Sequence, residues 1–130
     1  MLLFGHRFIE NEEFYHVLDK DSVQNTPPSS TIYLEFSEEN LDIISHLLTN
    51  QVRFVLSVAN IEQLIYASAL GASYIVVSPE LAKSAQGIAD TYLFDAKILV
   101  KIQEEDEIEE FALLGIDGVL FSNAIIKINS

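Results

Sequence analysis

The sequence predicts one α/β domain with a three-layer build. A mostly parallel sheet of five or six strands should lie between helix layers, Rossmann-like or flavodoxin-like. Three observations predict this. Strand-like and helix-like segments alternate from Thr31 onward. The later strand-like runs, "FVLSV", "YIVV" and "KILVKI", are continuously apolar, as in strands covered on both faces. The chain has 130 residues, 49% of them hydrophobic, which suffices for one core. A whole (βα)8 barrel needs roughly 200 residues or more, so half of one is the alternative. A half-barrel is expected to expose its concave face unless it dimerises.

Residues 1–130 read as one domain, with 1–30 an N-terminal strand plus loop and 31–130 repeating βα units. "LLFGHRFI" opens as a short strand, and an acid-rich segment of helical character follows from Glu10 to about Asp19. "QNTPPSS" is a loop, since consecutive prolines exclude helix and central strand. "TIYLEF" is a strand, and Ser37 then caps a helix that carries Leu41, Ile44 and Leu48 at helical spacing. "VRFVLSV" precedes a helix with Asn60 as cap and Gly71 as stop. "SYIVV" leads into "SPELAKSAQGIADTYLF", where Ser-Pro-Glu marks a helix start. "KILVKI", "EEDEIEEFALLG" and "DGVLF" complete the pattern. In "EEDEIEE", Glu104 to Glu107 are expected in the first helical turn, where acids complement the macrodipole, in preference to a cation patch.

The second half repeats itself. The stretch from Phe54 lies over the stretch from Ile98 without a gap, so that Leu70, Gly71, Ser78 and Lys83 meet Leu114, Gly115, Ser122 and Lys127. "LGIDGVLFSNAIIK" therefore has a sister in "LGASYIVVSPELAK", and both glycines suit a left-handed turn from helix into strand.

The charge limits partners. A net charge of −13 argues against nucleic acid and against anionic membrane surfaces. With no cysteine there is no disulfide framework or thiolate chemistry. The opening residues do not read as a signal peptide, and the longest uncharged stretch, from Gln63 to Pro79, is too short and broken to span a bilayer. The expectation is a soluble, cytoplasmic protein with a protein partner or a second copy of itself.

In a parallel sheet, ligands bind beyond the carboxyl ends of the strands. That rule selects Gly5, Arg7, Glu35, Asn60, Ser78, Ser122 and Asn123 as candidate ligand-binding residues. Ser78 starts a helix whose free N–H groups suit an anion, and Ser122 and Asn123 hold the matching place in the second repeat. His6, Arg7, Glu10, Glu12, Glu13 and His16 form a dense polar group, read either as a ligand site or as a solvated segment that balances its own charges. The two histidines lack metal-ligand spacing, so no metal site is named. His46 lies one helical turn past Asp42, the spacing of a surface ion pair. No Ser-His-Asp order, Walker loop or HExxH pattern appears, so no catalytic residue is named and an enzyme is not the first expectation.

Two resemblances add to this reading. "GASYIVVSPEL" and "GIDGVLFSNAI", within about the last 75 residues, resemble C-terminal βα units of phosphate-binding (βα)8 barrels of the keto-deoxy-phosphogluconate aldolase type. That resemblance implies a phosphate site at the strand ends and an enzyme, or half of one, acting as a dimer; Lys101 is its only candidate for a Schiff-base lysine. From about Thr31 to Asp90 the order of strand, acidic helix start, strand, Asn, helix, "GA", strand and "SP" resembles the C-terminal half of TrkA-type (RCK) domains. This implies a Rossmann-like regulatory module, here degenerate. Arg7 stands where a second glycine would admit a pyrophosphate, so the dinucleotide motif is not intact and no cofactor is named. The leading expectation is a non-catalytic ligand- or protein-binding regulatory module.

Overall fold

The computed structural model describes residues 1–128. The chain is α/β with a parallel sheet, but the sheet has eight strands and forms a half-barrel. The strands are β1 (Leu2–Phe4), β2 (Phe14–His16), β3 (Thr31–Glu35), β4 (Phe54–Ser57), β5 (Tyr74–Val77), β6 (Lys97–Ile102), β7 (Gly118–Phe121) and β8 (Ile125–Lys127). The helices are α1 (Lys20–Val23), α2 (Leu41–Thr49), α3 (Ile61–Leu70), α4 (Pro79–Thr91) and α5 (Glu107–Leu113).

Local signals explain most boundaries. The Asp19 carboxylate accepts the Ser22 N–H at 2.8 Å and starts α1. Ser37 caps a single 3-10 turn, Glu38–Asn40, that leads into α2. Asn60 caps α3, and Gly71 ends it at φ +94°. Gly115 turns out of α5 in the same left-handed way, at φ +76°. The acids of "EEDEIEE" are placed differently from the expectation. Helix α5 begins at Glu107, whose carboxylate accepts the N–H groups of Gln103 and Glu104 at 3.0 and 2.9 Å. The Glu107 side chain alone reaches back to the preceding N–H groups; the cap residue Asp106 makes no side-chain bond of its own.

The strand order is β1-β7-β6-β5-β4-β3-β2-β8. This corrects the Rossmann-like and flavodoxin-like expectation. Those folds reverse strand order at a switch point and so put helices on both faces. Here β2 to β7 run in one direction without reversal, and successive crossovers of one hand stack their helices on one side. The helix residues Ile43, Leu47, Leu64, Ala82, Ala85 and Phe111 pack with Leu34, Leu56, Ile75, Val77, Ile98 and Val100 on the convex face. The concave core holds Phe4, Phe14, Tyr33, Val55, Val76, Leu99, Leu120 and Ala124, with no residue of α1 to α5 among them.

A sheet of eight strands lying flat would put its ends about 34 Å apart, at about 4.8 Å per neighbour. Yet β7, next to one edge, and β8, the opposite edge, are joined by the 3-10 turn Ser122–Ala124 alone. The four residue steps from Phe121 to Ile125 span at most about 14 Å. The sheet must therefore roll until its ends meet. Ring contacts agree: Phe4 on β1, Phe14 on β2 and Tyr74 on β5 lie with centroids 5.0, 5.3 and 5.4 Å apart pairwise. Gly118 marks how tight the curl is. A Cβ there would come within 2.8 Å of Leu2 and Leu99, neighbours on the same concave face.

Rolling corrects two further expectations. The concave face is buried within the single chain, Phe4, Phe14 and Val55 at 0% exposure, so the half-barrel needs no second copy to cover it. The segment from Glu10 to Asp19 is not helical. Phe14 enters the concave core and draws Phe14–His16 into the sheet as β2, between β3 and β8. The crossover before it, residues 5–13, has no helix. Asn11 donates to the Leu3 carbonyl of edge strand β1 at 3.0 Å, which caps part of that edge. Glu12 reaches the amino ends of the strands, where its carboxylate accepts from Thr31 at 2.7 Å and meets Arg53 and Tyr74, both at 3.3 Å.

Candidate functional site

Because all strands are parallel, their carboxyl ends share one rim. Side chains alternate between faces, so the residue two beyond each concave apolar residue faces the same way, one step nearer the rim. The register shows which these are. His16 pairs with Tyr33 and with Lys127, Glu35 pairs with Ser57, and Lys101 pairs with the concave residue Leu120. Five strand ends, "FYH", "YLE", "VLS", "LVK" and "IIK", thus deliver His16, Glu35, Ser57, Lys101 and Lys127 to the mouth above the filled core. The same alternation carries Ser78 and Ser122 there after Val76 and Leu120.

These groups act on one another. The His16 ring stands edge-on to Tyr33 at 5.1 Å. Burial pushes the His16 pKa below its ordinary 6.5; Glu35 opposes that, and the charges of Lys127 and Lys101 reinforce it. Lys127 comes from the edge strand beside His16, whereas Lys101 comes from β6 across the mouth. Burial raises the Tyr33 phenol, with the Ser57 hydroxyl pulling against it and Glu35 adding to it. Beside His16 and Lys127, a cleft of about 100 Å³ is completed by Leu18 and Ile128.

A second cluster flanks the mouth where β1 ends. Gly5 turns the chain at φ +86° and passes so close to Asn123 and Ala124 that a Cβ would lie 2.7 Å from the Asn123 Oδ1. His6 Nδ1 accepts the Phe8 N–H at 3.1 Å, so Nε2 carries the proton toward Glu105 Oε1, 2.8 Å away. The same Glu105 oxygen accepts from Arg7 Nη1, and the Arg7 guanidinium lies over the Phe8 ring at 4.5 Å. Desolvation of Glu105 acts against ionisation, but the hydrogen bonds and charges of Arg7 and His6 together outweigh it and hold the carboxyl below its ordinary range. A depression of about 480 Å³ here is lined by Gly5, His6, Arg7, Phe121 and residues 103–106.

The candidates therefore separate. Glu35, Ser78 and Ser122 stand at the mouth; Gly5, Arg7 and Asn123 stand on the flank. Asn60 is taken by its cap, with Oδ1 accepting the Gln63 N–H at 2.9 Å. The N-terminal polar group is not one site. His16 is in the mouth, His6 and Arg7 bind Glu105, and Glu12 works at the opposite ends of the strands. His46 stands 3.4 Å from Asn50 rather than in the ion pair expected with Asp42. Tyr33, Ser57 and Lys127 were not among the sequence candidates. The signal for them was the apolar-x-polar ending repeated on the strands.

Among the described residues, no group of three or more His, Asp or Glu side chains is arranged to hold a metal ion. None of the described helices is long and apolar enough to cross a membrane. No protein-family model and no curated protein matches the chain.

Proposed function

We propose that this chain is a non-catalytic regulatory module that binds a small metabolite by an anionic group, phosphate or carboxylate, at the carboxyl-end mouth of the half-barrel. One observation carries this reading. In a chain of net charge −13 with only seven Lys and Arg, Lys101 and Lys127 converge with His16 above one buried apolar floor. Glu35 stands at the same mouth and offsets part of this positive charge. Ser57, Ser78 and Ser122 add hydroxyls suited to the remaining oxygens of a phosphate. Because the barrel interior is filled by aromatic and aliphatic side chains, the ligand sits on the rim and is small.

The test is a thermal-shift panel of inorganic phosphate, sugar phosphates, mononucleotides, dinucleotides and small carboxylates. Binding raises the midpoint by mass action, by about 2.7 kcal/mol of stability at a hundred times Kd. A shift with a phosphorylated or carboxylated compound that is lost in Lys101→Gln and Lys127→Gln supports the mouth as the site. A flat panel sinks the proposal and turns the search to a protein partner.

A catalytic reading has one observation in its favour. His16, biased toward the neutral imidazole, is under the influence of Glu35 and Lys101, a combination suited to proton transfer on a bound anion. Turnover of any ligand found in the panel, lost in His16→Gln while binding persists, would replace the non-catalytic reading by this one.

A further inference from the structure

We propose that the mouth binds a proton together with its anion: His16 becomes an imidazolium as the ligand arrives, and the site holds that ligand more tightly as pH falls. This rests on the mouth as an anion site. A shared cleft carries it. His16 on β2 pairs in register with Lys127 on β8, and both line one cleft of about 100 Å³ with the apolar Leu18 and Ile128. At about 30 Å³ for each water-sized group, that cleft takes one small anionic group and little else. An oxyanion held there by the Lys127 ammonium therefore lies against the imidazole as well.

The groups around the ring set the sign. Burial disfavours the imidazolium, and Lys127 on β8 and Lys101 on β6 act in the same direction. Strand β3 presents two groups. Glu35 favours the imidazolium, and Tyr33 meets the ring edge-on at 5.1 Å with a phenol that burial keeps protonated. An anion in the cleft reverses the balance. It offsets the two lysine charges and accepts a charge-assisted hydrogen bond from the imidazolium. The pKa of His16 with ligand bound then lies above that of the free chain. Binding draws in a proton wherever pH falls between the two values, and affinity declines as pH rises through that window.

The experiment is calorimetric titration of the full chain with sulfate at constant ionic strength. Sulfate serves as the probe because, unlike phosphate, it keeps one charge state across the range. From about pH 8 to about pH 5.5 the wild type should gain about ten-fold in affinity, the effect of one pKa unit of coupling. Buffers of different ionisation enthalpy should reveal proton uptake on binding. His16→Gln should lose that uptake and keep only the shallow gain that the falling net charge of the chain brings. A second measurement needs no altered protein for its reading. The His16 imidazole C–H resonance, titrated with and without saturating sulfate, should report a higher pKa with sulfate. An unmoved His16 pKa, or the same pH dependence in His16→Gln, overturns the proton coupling while the mouth stands. If sulfate does not bind, or binds equally well when Lys101→Gln and Lys127→Gln are combined, the mouth itself fails and the coupling with it.

Discussion

At the scale of single residues, function and stability meet in His16. Burial holds its pKa below 6.5, Lys127 and Lys101 push the same way, and Glu35 opposes them. A histidine so shifted binds fewer protons folded than unfolded. The stability that goes with its neutral form is fully present above about pH 6.5 and is lost as pH falls from there toward the folded pKa. We therefore expect His16→Gln to flatten the fall in Tm between about pH 7 and about pH 5. Melting curves of both proteins across that range decide it; parallel slopes would mean that His16 titrates as it does in the unfolded chain. His16 could be read from the sequence only as a polar residue near the start. That Lys101, eighty-five positions later, acts on it depends on the curl of the sheet.

Secondary elements were legible where a cap or a period announces them. Asn60 was identified as the α3 cap from its place before an apolar helical stripe, and its Oδ1 does accept the Gln63 N–H, while Gln63 Oε1 accepts from Ala59 N–H at 2.8 Å. Removing one side of such a reciprocal pair leaves helix-end donors without protein partners. Asn60→Ala should cost about 1 kcal/mol in urea denaturation, and Asn60→Asp should restore most of it. A full loss in the Asp variant would refute capping as the cause. The strands β1, β2 and β8 have three residues each, too few to display a period of two, so β2 was taken for helix and β8 was not seen. Ser78, by contrast, was expected to start α4, and it does so through Pro79 at the first helical position, without a side-chain bond of its own.

At the scale of the whole molecule, the curl decides what the chain needs from outside. An exposed concave face would have required a second copy. Instead Phe4, Phe14 and Tyr74 pack against one another across the half-barrel, and the large aromatic area they bury lies within one chain. The Tm should therefore be independent of protein concentration over about a hundred-fold dilution, where an obligate dimer would melt progressively lower. Scanning calorimetry at the two extremes reads this directly. The sequence by itself determined the α/β class, the parallel sheet and the helix caps, because these depend on composition and on neighbours within a few positions. It also placed "LGIDGVLFSNAIIK" as a helix–glycine–strand unit. Only the tertiary structure decided that this segment joins the two ends of the sheet through Ser122–Ala124, and that His16, Glu35, Lys101 and Lys127 meet at one rim. The physical reason is that face and register are relations between strands. An open sheet and a rolled one share the same run of apolar residues, and they differ in whether the helices sit on both sides or on one.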